Sequence, residues 1–406
     1  MSEQIVKRRH VFYLPGFDPF HPRRYRELYR REAAEQARIS GYEISISRKI
    51  SDGPYGWRVS SVQDGVTVET EIEVLVWHDI VKESMSQGLL ATYVQLFRTA
   101  ILYIGSGALF RLMRLRNGPM IAALYPVIFL FLQLAIAVFC ASAVYRGLSS
   151  VSAENMLFSA VFVLIGLLIG LTILEAFRRF DKKVFAYYLM HDYAFSAQNG
   201  GATPTALRQR LGLFEESIQK KLGEDLHEVL IVGHSSGAHL GVSVLANIVR
   251  NDHFSPSGPV LSFLTLGQVV PMISFLPKAK DLRTDLHLMG KQDKITWIDV
   301  TAPGDGCAFA LCDPVAVSGV ALPDSTNPLV VSAAFTKTLS KETWKRLRWK
   351  FFKLHFQYLC AFDRPGHYDY FRITAGPMTL ADRFKGRKPS ASRIVSAVNG
   401  YPDFDS

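Results

Sequence analysis

The chain has 406 residues, 49% hydrophobic and 20% charged, which excludes a disordered chain. Its four cysteines exclude a disulfide scaffold, and Cys307 and Cys312 have no second pair at metal-ligand spacing, so a zinc site has no support. The net charge is +10 and the mean hydropathy +0.12, high for a soluble protein, so the location of the charge and of the apolar residues decides what they mean.

The first residues, MSEQIVKRRH, lack the apolar core of a cleavable signal peptide. HVFYLPGF (10–17) reads as a strand entering a Pro-Gly turn. Pro22 to Ser40 is a helical stretch rich in Arg and Glu. Two or three strands are expected next, over YEISISRKI (42–50), GWRVSSVQ (56–63) and VTVETEIEVLVW (66–77), the last two joined at Gln63-Asp64-Gly65. Leu89 to Leu115 is apolar but interrupted by Arg98 and Arg111. It suits an amphipathic helix at a membrane interface or packed on the soluble part; a third span there would put the N-terminal and C-terminal parts on opposite sides and is disfavoured.

Two uncharged runs follow. Asn117 to Tyr145 and Asn155 to Leu174 contain no Asp, Glu, Lys or Arg. Each is long enough for a spanning helix, which needs about 20 apolar residues. A short connector, Arg146 to Glu154, makes them a hairpin with both outer ends on one side. Arg111, Arg114 and Arg116 precede it, Arg178, Arg179, Lys182 and Lys183 follow it, and the connector carries only Arg146. Positive flanks favour the cytoplasm, so the expected setting is an inner (plasma) membrane with the large soluble part cytoplasmic. Gly166 and Gly170 form a GxxxG that would let two helices approach closely.

Downstream, Thr205 to Leu222 is an amphipathic helix. VLSFLTLG, ITWIDVT and PLVVSAAF are apolar strands. Strands alternating with helices indicate an α/β fold with a mostly parallel sheet, interrupted by the two-helix transmembrane insertion. The expected division is 1–87 and 184–400 for the two parts of the soluble domain, with the insertion at 88–183 and spans at about 119–145 and 155–175.

EVLIVGHSSGAHLGVSVLANIVRN places a GxSxG, Gly233 to Gly237, between an apolar strand and a helix. A sharp strand-to-helix turn needs small residues on both sides of the serine, and it presents the hydroxyl above the sheet. In GHSSGAHL, in the early strand–PGF segment and in the order of later elements, the chain resembles the α/β-hydrolase family, lipase and esterase-like members in particular. That resemblance implies Ser235 as nucleophile, with backbone N–H groups of Ser236 and Phe17 as oxyanion donors. Such a donor is worth about 3 kcal/mol in the transition state.

The family order then implies an acid followed by a histidine. Asp305 follows the strand ITWIDVT and lies between Gly304 and Gly306, which suits it better than Asp299 within the strand or the later Asp313. His355 and His367 follow the last strand. His355, expected at the start of a helical stretch, is favoured over His367 in RPGHYDYF. His234 is expected to point away from the nucleophile. KETWKRLRWKFFKLHF reads as one basic amphipathic helix with Trp344, Leu347, Phe351 and Leu354 on a face. It suits an anionic membrane surface or a core-packed helix with a solvated basic side.

The expected function is a membrane-anchored serine hydrolase acting on a lipid or other apolar acyl ester. The alternatives are a non-catalytic hydrolase-like scaffold and, disfavoured by only two spans without intramembrane charge, a channel or transporter component. No metal or organic cofactor is implied. The expected partner is the lipid bilayer, and nucleic-acid binding is disfavoured because the basic clusters flank apolar spans and no binding motif occurs.

Overall fold

The computed structural model describes residues 5–49, 53–85, 88–150, 156–252, 254 and 257–405. Its centre is an eight-stranded sheet in the order β2-β3-β4-β1-β5-β6-β7-β8. The strands are β1 (Arg8–Leu14), β2 (Glu43–Arg48), β3 (Gly56–Gln63), β4 (Val66–Val74), β5 (Glu228–His234), β6 (Val260–Leu266), β7 (Thr296–Thr301) and β8 (Leu329–Ser332). β2, β3 and β4 pair antiparallel as hairpins at one edge. From β4 onward every pairing is parallel. The chain is therefore a mixed α/β fold with a mostly parallel sheet.

Alternation along the strands divides the core. Phe12 and Leu14 of β1 join Val229 and Ile231 of β5 on one face, against the helices Thr205–Leu222, Gly237–Arg250 and Lys280–Lys291. Val11, Tyr13, Leu230 and Val232 face the other way, against Tyr25 and Tyr29 of the helix Arg23–Ser40 and against C-terminal residues such as Phe371. Central parallel strands are buried on both sides, which explains the unbroken apolar runs VFYL and VLIV.

At the amino ends of the central strands lies a buried ionic node. Arg9 donates to Glu228 at 2.7 Å, and both side chains are fully buried. The guanidinium also donates to the carbonyls of Gly376 and Met378. Glu228 accepts from Ser262 Oγ and the Leu380 N–H, each at 2.7 Å. The node ties the C-terminal segment to the start of β1 and β5.

The two apolar helices leave the fold within the crossover from β4 to β5. They run over Asn117–Ser149 and Met156–Arg179, with mean hydropathies of 2.6 and 2.8, and both are long and apolar enough to cross a membrane. The first extends past the expected end at Tyr145 through Ser149, whose hydroxyl bonds back to the Tyr145 carbonyl. Part of the expected connector, 151–154, lies outside the described residues. A Cβ on Gly166 would lie 2.9 Å from the Ala141 carbonyl oxygen, so the GxxxG glycine seats one apolar helix against the other. Leu164, Leu167, Leu168 and Leu171 remain exposed, as a lipid-facing surface requires.

Two expected helices are broken. The stretch 89–115 divides into Leu89–Gly105 and Ala108–Leu115, because Gly107 takes a left-handed φ of +72°. The longer piece packs Tyr93 and Leu96 with Met190 of the helix Ala186–Ala197 and Leu130 of the first apolar helix. The basic stretch divides into Lys341–Leu347 and Phe351–His355. Across the break Trp344 covers Gly304, and Leu354 and His355 turn inward.

Removing one partner of a buried ion pair leaves the other charge uncompensated, at a cost of about 3–5 kcal/mol. Glu228→Ala should therefore lower the thermal unfolding midpoint of the detergent-solubilised protein sharply, whereas Asp225→Ala, which removes an exposed partner of Arg8, should barely move it. Equal effects would show that the node does not hold the sheet to the C-terminal segment.

Candidate functional site

The sheet reverses winding direction at β1, which lies between β4 and β5. Crevices at the carboxyl ends of strands beside such a reversal are the usual ligand sites of open α/β sheets. There a cavity of about 1,700 Å³ opens, lined by Gly16, Phe17, Ser235, Ser236, His355 and Asp192 among others.

Ser235 sits between the end of β5 and the helix Gly237–Arg250, with a left-handed φ of +57°. The flanking glycines are a steric necessity. A Cβ on Gly233 would lie 2.7 Å from the Gly237 carbonyl oxygen, and one on Gly237 would lie 2.0 Å from that of Leu14. Gly16 is pressed in the same way: its Cβ would meet the Ser235 Cβ at 2.9 Å. The Ser235 N–H donates to the Leu266 carbonyl at 2.9 Å and fixes the elbow to β6. A non-glycine residue at positive φ costs about 1–3 kcal/mol, and such residues cluster at functional sites.

The loop after β1 is held from two sides. Trp77 Nε1 donates to the Pro15 carbonyl at 3.0 Å, and the Tyr188 hydroxyl donates to the Phe17 carbonyl. The Phe17 and Ser236 backbones thus border the cavity next to Ser235.

Asp305 and His355 come together from separate loops. His355 Nδ1 donates to Asp305 Oδ2 at 2.8 Å, with both side chains buried. Because a carboxylate only accepts, this bond assigns the proton of the neutral ring to Nδ1 and leaves Nε2 with a free lone pair. Tyr358 donates to the same carboxylate oxygen at 3.1 Å and accepts from the Ala302 N–H at 2.9 Å. The Cys307 N–H donates to Asp305 Oδ1 at 2.9 Å. Gly267 makes room for the ring, since its Cβ would lie 3.0 Å from His355 Cε1. Among the described residues no hydrogen bond joins the Ser235 hydroxyl to His355; the two side chains share the cavity.

The other candidates lie elsewhere. Asp313 caps the short helix Pro314–Val317 through the Val315 and Ala316 N–H groups. Asp299 is buried within β7, where Thr265 Oγ1 donates to it at 2.6 Å. His367 is exposed on a loop. His355 closes its short helix, where the sequence suggested that it would begin one. His234 is not turned wholly away from the site: its Nε2 donates to the His355 carbonyl at 3.0 Å, and burial, aided by His355, pushes its pKa down to about 3.

Three site residues carry no motif: Tyr188, Tyr358 and Asp192. Burial pushes the Asp192 carboxyl up to about 7, opposed by the charge of His355. A tyrosine three residues beyond a candidate base is the only sequence cue to Tyr358. Asp192 lies in a Tyr-rich helix with no cue.

Asp305, Cys307 and His355 offer ligand atoms within 4.8 Å of one another. The carboxylate already accepts three hydrogen bonds, and burial followed by the charges of Asp305 and Asp192 raises the Cys307 thiol, so the arrangement suits a hydrogen-bonded pair better than a thiolate metal site. His10, Glu71 and Glu73 form a second such cluster, and there the Lys49 ammonium already sits against Glu73.

Comparison with protein-family models, with curated proteins and with solved structures finds no match.

Burial raises the Asp299 pKa to about 8, partly offset by the Thr265 bond and reinforced by Asp313. Its unfolded value is about 3.9, so between these limits the folded state holds a proton that the unfolded state has lost. Stability should therefore fall as pH rises from about 4 and level off above about 8. Asp299→Asn should flatten that decline in thermal midpoint measured from pH 5 to pH 8. An unchanged slope would mean that Asp299 is ionised in the fold.

Proposed function

We propose that this protein is a membrane-anchored serine hydrolase of the α/β-hydrolase type that cleaves an apolar acyl ester. One observation carries the reading: Ser235 stands at positive φ on a strand–helix elbow beside the same cavity as the hydrogen-bonded His355–Asp305 pair.

In this mechanism His355 Nε2 removes the proton as Ser235 Oγ attacks the ester carbonyl. The tetrahedral oxyanion is received by the Phe17 and Ser236 N–H groups. The carbon–oxygen bond to the alcohol breaks as His355 returns the proton to that oxygen, leaving acyl-Ser235. Water, deprotonated by the same nitrogen, then releases the acid. Asp305 orients the imidazole and stabilises its cation. Tyr358 holds Asp305 in place, and Tyr188 holds the Phe17 loop. The Ser235 side chain must rotate towards His355 when substrate binds; unliganded catalytic hydrogen bonds are often open in this way. That open contact is also the observation that favours the second reading, a non-catalytic membrane scaffold.

The two apolar helices supply the anchor. The positive flanks support the soluble part lying on the cytoplasmic side of an inner or plasma membrane. The size of the cavity supports a substrate larger than a short ester.

Fluorophosphonates label only an activated serine. The wild-type protein in detergent should be labelled, and Ser235→Ala should not be, with its thermal midpoint little changed. His355→Ala should reduce labelling by several orders of magnitude, and His367→Ala should leave it near wild type. Absence of labelling in the wild type would favour the scaffold. Loss in His367→Ala with retention in His355→Ala would exchange the two histidines.

A further inference from the structure

We propose, building on the serine-hydrolase reading, that the substrate is a net-anionic phospholipid taken from the bilayer surface, with its headgroup held by Arg346, Lys350 and Lys353. These three cations line the cavity that holds Ser235 and His355. All are exposed, and none is in an ion pair among the described residues. Other lining cations are already matched: Arg24 by Asp18, Arg30 by Glu27 and Arg178 by Glu175. Several acids line the cavity too, and two of those outside these ion pairs bond to backbone. Asp181 accepts from the Tyr187 and Tyr188 N–H groups, and Asp363 from that of Ser340. The three are therefore arginine and lysine donors without an ion-pair partner among the described residues, the chemistry that recognises phosphate.

Its position adds the lipid. Trp349 and Phe351, interleaved with the cations, are 73% and 49% exposed. Exposed aromatic residues beside lysine and arginine mark a segment at a membrane interface. Across the cavity, Glu175 and Arg178 in the last turns of the second apolar helix line the same space, as does Pro119 near the start of the first. Gly118 packs directly on Gly306, beside Asp305. The cavity mouth thus lies where the two helices leave the hydrocarbon, and an acyl chain can reach Ser235 while its headgroup stays at the basic rim. Lys353 stands two residues before His355, which keeps headgroup and base on one short helix.

The test uses full-length protein reconstituted in vesicles of phosphatidylglycerol or phosphatidylcholine with identical acyl chains. Because the protein is already in the bilayer, the ratio of the two turnover rates reports the site and not recruitment. The wild type should prefer phosphatidylglycerol by about tenfold, the scale of one strong charge-assisted contact. Salt near 1 M, where screening acts within about 3 Å, should compress that ratio towards one in the unmodified protein. The triple variant Arg346→Glu, Lys350→Glu, Lys353→Glu should do the same or reverse it, and Lys350→Arg with Lys353→Arg should keep it. Equal rates on both lipids, or no cleavage of either, in wild-type protein that fluorophosphonate still labels would overturn this inference alone. Absence of labelling would overturn the hydrolase reading and this inference with it.

Discussion

The site depends on three polypeptide segments meeting with almost no space between them. The end of β1, the end of β5 and the start of the helix Gly237–Arg250 approach so closely that no side chain fits at Gly16, Gly233 or Gly237. That crossing forces Ser235 into a left-handed conformation and aims its side chain into the cavity. The cost of the strained backbone is offset by the core around it. Val232 and His234 are buried in β5, and Ala238 and Leu240 anchor the helix. A methyl group at any of the three glycines would push the segments apart and disturb the serine and the Phe17 loop together.

The other half of the site is assembled by packing that reaches to the first apolar helix. Asp305 is held by His355, by Tyr358 and by the Cys307 N–H. The loop that carries it rests on the start of the first apolar helix, through Gly118 against Gly306 and through Arg116, whose Nε donates to the Ala310 carbonyl at 2.7 Å. The acid is therefore positioned by a helix long and apolar enough to cross a membrane. Tyr188, from the helix that packs on the same element, fixes the loop after β1. The apolar helices thus form part of the scaffold of the site.

Much of this was legible because it follows from local rules. Apolar runs gave the strands and the two long helices, and the spacing of small residues around Ser235 gave the elbow. The choice of Asp305 over Asp313 rested on a loop between two glycines, and the fold places Asp305 against His355 while Asp313 caps a helix. What stayed hidden depends on contacts distant in sequence. The break at 348–350 separates Trp344 from Leu354 although both pack on the same core, and helical periodicity carries no trace of it. Tyr358 and Asp192 matter through partners about 50 residues away or more, and tyrosine or aspartate in a helix has no signature of such a role. The Arg9–Glu228 node looks in sequence like two ordinary surface charges at strand ends, because pairing across 219 residues is a property of the sheet order.

The central claim is that Ser235 and His355 act as one unit although they belong to different loops and are not hydrogen-bonded in the unliganded structure. The direct measurement is a double-mutant cycle on ester turnover, with Ser235→Ala, His355→Ala and the combined variant. Residues that share one proton transfer are strongly non-additive, so the double variant should be no slower than the worse single one. Losses that multiply, or a His355→Ala enzyme that turns over at the wild-type rate, would contradict the account.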